Sequence, residues 1–120
     1  MKYVEYEIGG RHLRLLLSVY ATKKISERYG TFEKFGGKIQ ELEPVAQLAE
    51  LIAVVAILAE AGKRNAEIMG EVCDTITADE LEALLPMDTK TMGTLSDKIA
   101  EAFNTGNKTT IEIKDESKNA

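Results

Sequence analysis

The side chains best suited to chemistry in this 120-residue chain are one histidine, one cysteine and a cluster of carboxylates. His12 lies on the polar side of an alternating run, and a metal site there would require further ligands, of which Cys73 is the only other soft candidate. Glu71 and Asp74 flank Cys73 and disfavour the thiolate that a reactive cysteine requires. We therefore interpret His12 as a solvated side chain and Cys73 as a small buried hydrophobic residue.

The other candidates for catalysis or phosphate binding fit structural roles better. Asp79, Glu80 and Glu82 open a predicted helix, where carboxylates are favourable beside the positive end of the helix dipole. Gly9-Gly10 and Gly36-Gly37 lack the downstream glycine and Lys-Ser/Thr of a phosphate-binding loop, so we interpret both pairs as turns. No serine lies in a Gly-x-Ser-x-Gly context. The sequence therefore predicts a chain that is not an enzyme and has no metal and no cofactor.

Composition excludes several further classes of function. The net charge of −5 offers no basic surface for a phosphate backbone, which argues against nucleic acid and against an anionic membrane surface as partners. The longest run without a charge, Leu51 to Ala59, has nine residues, whereas crossing a bilayer takes about 20. A single cysteine forms no internal disulfide, and the N-terminus carries acidic residues where a signal peptide is apolar. We expect a soluble, cytoplasmic protein.

The elements that must position these side chains begin with a β-hairpin. Val4, Tyr6 and Ile8 alternate with Glu5 and Glu7, which is the period of a half-buried strand. The pair Gly9-Gly10 suits a tight turn, and residues 11–17 alternate again.

Helical signals dominate the rest of the chain. Ser18 is placed to cap a helix that ends near Gly30, and a short helical turn follows and ends at Gly36-Gly37. A long apolar helix begins near Pro44 and either stops at Gly62 or continues through it to Met69. Two later helices begin at a Thr77–Glu80 capping box and at Asp88 or Thr89, and the last of them ends at Gly106. Residues 109–114 alternate and form either a third strand or a loose tail.

These elements predict an α+β fold, in which an N-terminal hairpin, with an optional C-terminal strand, packs on a bundle of about four helices. We expect a single domain over residues 1–114 and a flexible tail over residues 115–120. No feature divides the chain into two units.

Two regions are candidates for a partner-binding surface. The helix over residues 45–59 is apolar on nearly every side, so it is either the core or a surface kept for a partner. A group of basic residues in the N-terminal third is either a solvated face or a rim that meets an acidic partner. The predicted partner-binding residues are Leu48, Leu51, Ile52, Val55, Leu58, Arg11, Arg14, Lys24 and Arg28.

The order of these features resembles that of a known family. The hairpin with Ile8-Gly9-Gly10 is followed by ISERYGTF at residues 25–32, by an Ala/Leu-rich helix and by TADELEALLP at residues 77–86. An amphipathic helix that reaches Phe103 closes the pattern. The chain resembles the small tail assembly chaperones of tailed phages and prophages of Gram-positive bacteria, a family related to those of gene transfer agents.

This resemblance implies a helper protein in the bacterial host cell that is absent from the finished particle. It would bind the tape measure protein, keep it soluble and help recruit tail tube subunits. The family offers no catalytic residues to carry over. The positions that match its pattern are structural ones in turns, caps and the core, namely Ile8, Gly9, Glu27, Arg28, Tyr29, Gly30 and Phe32. The alternative is a structural tail or neck component that stays in the particle. Self-association into a homo-oligomer is a further option.

Overall fold

The computed structural model describes residues 3–105 and places an N-terminal two-stranded sheet before five helices. The predicted α+β class is confirmed, with five helices rather than about four. The elements are β1 (Val4–Ile8), β2 (Arg11–Leu15), α1 (Val19–Tyr29), α2 (Lys34–Gln40), α3 (Pro44–Ile68), α4 (Ala78–Leu84) and α5 (Thr89–Asn119, described to residue 105). The predictions of a helix end at residue 106, a strand at 109–114 and a tail at 115–120 fall outside the described residues.

The hairpin forms as its alternation predicts. β1 and β2 are antiparallel, with Val4 opposite Leu15 and Ile8 opposite Arg11. Gly9 and Gly10 connect them with φ values of 58° and 77°, the positive angles that a two-residue hairpin turn needs. The outer edge of β2 meets residue 74, whose N–H donates to the carbonyl oxygen of His12 at 3.0 Å.

Helix α3 is the centre of the molecule. It contacts β2 and the other four helices, and its apolar residues form most of the core together with Leu13, Leu15, Leu81 and Leu95. By length and composition alone this 25-residue helix could cross a membrane. In this fold, packing against five neighbouring elements buries much of the same apolar surface.

Gly62 decides how closely α3 approaches the sheet. Of the two alternatives left open by the sequence, the structure has the continuous helix, which passes through Gly62 and ends at Ile68. A Cβ atom at Gly62 would lie 1.7 Å from the carbonyl oxygen of Arg14. The helix backbone therefore lies directly against β2, an approach that only glycine permits.

The predicted helix starts are confirmed by their hydrogen bonds. The Ser18 hydroxyl accepts from the Ala21 N–H at 3.3 Å, and Thr77 and Glu80 form the reciprocal capping box. The carboxylate of Asp88 accepts from the Thr91 N–H at 2.7 Å at the start of α5.

The prediction that Gly36-Gly37 ends a helical turn was wrong. Helix α2 continues through both glycines to Gln40, and neither glycine has a positive φ. Two glycines in a helix interior cost about 0.5–1 kcal/mol each relative to alanine. Burial of Phe35 and partial burial of Ile39 against the core outweigh this local cost.

Candidate protein-binding groove

The apolar residues that the sequence nominated for partner binding lie in the core. Leu48, Leu51, Ile52, Val55 and Leu58 are between 0% and 6% exposed. The neighbouring helices and β2 cover most of α3 along this stretch, in agreement with the core alternative, and some of the positions between these residues stay partly exposed. These five positions therefore offer no open surface in the described fold, and only Leu51 reaches the wall of a groove.

The basic residues on β2 are paired with carboxylates of this same chain. Arg11 donates to Glu80 at 2.6 Å and to the carbonyl oxygen of Thr75 at 3.2 Å. Arg14 donates to Glu71 at 2.6 Å, and its guanidinium carbon lies 4.6 Å from the centre of the Tyr3 ring. The Arg11 pair ties the hairpin to α4, and the Arg14 pair ties it to the segment that follows α3.

The two predicted partner-binding residues on α1, Lys24 and Arg28, are paired as well. Arg28 forms a two-point contact with Glu50 of α3, in which both nitrogen–oxygen distances are 2.9 Å, and the Tyr29 hydroxyl donates to the same carboxylate at 2.7 Å. Lys24 lies 3.8 Å from Glu27, one helical turn away. The predicted basic rim thus meets carboxylates supplied by its own chain, so most of its charge is already balanced.

These pairs change the ionisation of the groups involved. Hydrogen bonds from Arg11 and from the Thr77 N–H lower the pKa of Glu80 to about 2. Hydrogen bonding from Arg28 lowers the pKa of Glu50, and burial together with the Glu50 contact raises the pKa of Tyr29. These pKa shifts arise from hydrogen bonds within the fold and from burial, and each group with a shifted pKa is hydrogen-bonded to another residue of the chain.

The residues that could do chemistry are not arranged for it in the described part of the chain. His12 is exposed, and its Nδ1 lies 3.7 Å from a Glu7 oxygen. Cys73 is a buried free thiol, and no hydrogen bond joins it to His12 within residues 3–105. No group of three or more histidines, cysteines and acidic residues could hold a metal ion there.

An apolar groove between α2, α3 and α5 is the clearest recognition feature of the described residues. Its volume is about 540 Å³, within the range of ligand-binding pockets, and it is open along one side. Its lining consists of Phe32, Glu33, Phe35, Gly36, Ile39, Gln40, Leu51, Ser96, Ile99, Ala100 and Phe103. Most atoms of the groove walls are apolar. Among the lining residues, only Glu33, Gln40 and Ser96 have polar side chains.

Three phenylalanine rings pack against one another in the lining of this groove. The Phe32 and Phe103 ring centres are 4.8 Å apart, and those of Phe35 and Phe103 are 5.7 Å apart in an edge-to-face arrangement. Tyr29 extends the cluster, with its ring centre 5.1 Å from that of Phe35. Each such aromatic pair stabilises the fold by about 0.5–1.5 kcal/mol beyond the contribution of the buried apolar area. We therefore expect these side chains to be held in fixed positions.

Part of the lining of this groove has a signal in the sequence. Phe32 and Phe35 are spaced to lie on one face of a helical turn, and Ile99 and Phe103 share a face of α5. What the sequence could not show is that these two faces meet beside Leu51 and leave space between them.

Comparison of the chain with protein-family models and with curated proteins finds no match, and comparison of its fold with solved structures finds none. The groove is therefore interpreted from its own geometry and chemistry.

Proposed function

We propose that this chain is a non-catalytic binding protein that holds an amphipathic helix of a partner in the groove between α2, α3 and α5. The partner we propose is the tape measure protein of a phage, as the family resemblance implies, so that the chain acts as a tail assembly chaperone. The observation that carries the binding part is the open apolar groove, in whose lining Glu33, Gln40 and Ser96 are the polar side chains. The partner's identity rests on the resemblance of the hairpin and of the segments at residues 25–32 and 77–86.

Recognition of a helix by a groove uses apolar side chains that recur every three or four residues. The groove offers apolar contacts to such side chains, from the paired rings of Phe32 and Phe103 and from Ile39. Ser96 and Ala100 are one helical turn apart on α5, and both side chains are exposed at the groove. Small residues at this rim allow a partner helix to approach closely.

The expected affinity follows from the size of the groove. Two large apolar side chains that become buried there contribute about 3–6 kcal/mol together. Loss of translational and rotational freedom on association removes several kcal/mol of this gain. One groove therefore binds one helix weakly, with a dissociation constant on the order of millimolar or weaker. Weak, reversible binding suits a helper that must release its partner during assembly.

Co-expression with the tape measure protein encoded in the same phage genome tests this function. We expect the wild-type chain to raise the soluble fraction of the tape measure protein. The variant Ala100→Glu places a carboxylate at the exposed rim of the groove, and we expect it to lose this effect. The matched control Ala83→Glu introduces the same charge at an exposed position of α4 away from the groove, and it should act like the wild type.

Two results would count against the function. Unchanged solubility of the tape measure protein would contradict the chaperone activity, and equal effects of the two variants would contradict the groove as its site. Mass spectrometry of purified particles separates the structural alternative, because a chaperone is absent from them and a tail or neck component is present in fixed stoichiometry.

A further inference from the structure

A second surface, at the end of α3, exposes large apolar side chains on a fixed turn. Ile68, Met69 and Val72 are 84%, 65% and 88% exposed. The turn has the two hydrogen bonds of a Schellman motif, from the Glu71 N–H to the Ala66 carbonyl at 2.8 Å and from the Gly70 N–H to the Glu67 carbonyl at 3.2 Å. Gly70 adopts the positive φ of 73° that this motif requires.

The segment after this turn is tied to the rest of the fold. Lys63 donates to the carbonyl oxygen of Cys73 at 2.9 Å, and Glu71 pairs with Arg14. The carboxylate of Asp74 accepts from the backbone N–H of His12 at 2.8 Å. The exposure of the three apolar side chains is thus a property of an anchored turn, and a partner that covers them would remove apolar surface from water.

The surface beside Val72 is acidic. A groove of about 700 Å³ lies over the polar face of the hairpin. Its lining consists of Glu5, Tyr6, Glu7, His12, Leu13, Arg14, Val72, Cys73 and Asp74. Three carboxylates face this space, whereas its one arginine is already paired with Glu71 outside the lining.

We propose that Ile68, Met69 and Val72, together with Glu5 and Glu7 of the hairpin, form a docking surface for a cationic, apolar segment of a partner protein. Opposite charge across an interface favours association, and like charge opposes it. A second copy of this chain is a poor occupant, because a symmetric contact would bring the same carboxylates against one another.

This surface is separate from the apolar groove. Ile68 and Leu51 are seventeen residues apart on one helix, which corresponds to about 25 Å. The inference therefore does not depend on the proposed function, and either can fail without the other.

The test uses the full-length, ¹⁵N-labelled protein and two synthetic 12-residue peptides, one alternating leucine with lysine and the other alternating leucine with glutamate. We expect the lysine peptide to shift the amide signals of residues 5–7 and 68–74, and to bind more weakly as salt is raised. The glutamate peptide has the same apolar content and should not shift them.

Two pairs of variants separate the apolar and the electrostatic contributions. We expect Val72→Ser to weaken binding of the lysine peptide about fivefold, whereas Val45→Ser, at an exposed valine near the start of α3, should not change it. The double variant Glu5→Gln/Glu7→Gln should also weaken it about fivefold and reduce the salt dependence, since two exposed ion pairs contribute little and are screened by salt. The matched double variant Glu41→Gln/Glu43→Gln removes the same charge from another exposed region and should bind like the wild type.

Three outcomes would overturn the docking surface. The first is equal binding of the two peptides, or binding of neither at millimolar concentration. The second is a set of amide shifts confined to other parts of the chain. The third is equal behaviour of each test variant and its matched control.

Discussion

Replacing Gly62 with alanine tests how α3 and the hairpin fit together. In the interior of a helix this change ordinarily stabilises a protein by about 0.5–1 kcal/mol, because alanine restricts the unfolded chain and favours the helix. At Gly62 the added Cβ would lie 1.7 Å from the carbonyl oxygen of Arg14 and 2.7 Å from its carbonyl carbon. Cβ contacts shorter than 3.0 Å essentially do not occur, so α3 and β2 must separate by more than 1 Å.

The size of the effect follows from what that separation breaks. The obstructing atom belongs to the backbone of β2, which the hairpin ladder holds in place, so no side chain can move aside. The Leu16 N–H donates to the Leu58 carbonyl oxygen at 3.1 Å across the same contact and would be stretched. Overpacking costs about 1–3 kcal/mol, and a weakened hydrogen bond adds about 1 kcal/mol. After the helix propensity gain of about 0.5–1 kcal/mol is subtracted, Gly62→Ala should destabilise the protein by about 1–3.5 kcal/mol.

Urea denaturation and thermal unfolding, followed by circular dichroism, measure this loss. A loss of about 1–3.5 kcal/mol corresponds to a decrease in Tm of roughly 4–14 °C for a domain of this size. Gly93→Ala is the matched control, because Gly93 also lies within a helix and nothing lies within 4 Å of its added Cβ. The control should raise stability by about 0.5–1 kcal/mol. A Gly62→Ala protein as stable as the wild type, or changes of the same sign in both variants, would refute the close packing of α3 on β2.

Three further predictions concern the ion pairs and α2. Glu50→Ala removes the acceptor of the buried Tyr29 hydroxyl and should cost about 1–3 kcal/mol in urea denaturation, with a smaller cost in a Tyr29→Phe background; equal costs in both backgrounds would exclude the contact. The pKa of Glu80 is lowered from 4.5 to about 2, so its stabilising effect is full above pH 4.5 and is lost as the pH falls toward 2. The Tm difference between wild type and Glu80→Gln should shrink over that range, and a constant difference would contradict the pairing. Gly37→Ala fills open space in α2 and should slow amide exchange there while raising stability by up to about 1 kcal/mol, whereas a loss of stability would show that the site is crowded.

Local sequence signals were enough to predict the elements whose determinants lie close together in the chain. Strict alternation on both sides of Gly9-Gly10 predicts the hairpin, because strand period and turn chemistry agree within a dozen residues. The Thr77–Glu80 capping box is equally local and occurs as predicted. An apolar surface on all sides of α3 correctly indicates a central helix as one of its two alternatives.

Features that depend on distant residues were not predictable. Arg11 and Arg14 pair with carboxylates 69 and 57 residues away, so the sequence showed a basic cluster but not its neutralisation. The groove takes its lining from α2, α3 and α5, and only the fold brings those faces together. Helix α2 shows the reverse effect, in which packing of Phe35 overrides two local helix-breaking residues.

Photo-crosslinking in cells that co-express the tape measure protein tests the central claim most directly. A photoreactive amino acid at Ser96, exposed at the rim of the groove, should crosslink to the tape measure protein. The same amino acid at Ala83, exposed on α4 and outside the groove, should not. Crosslinks from both positions, or from Ala83 alone, would contradict binding in the groove, and crosslinks from neither would contradict the partnership itself.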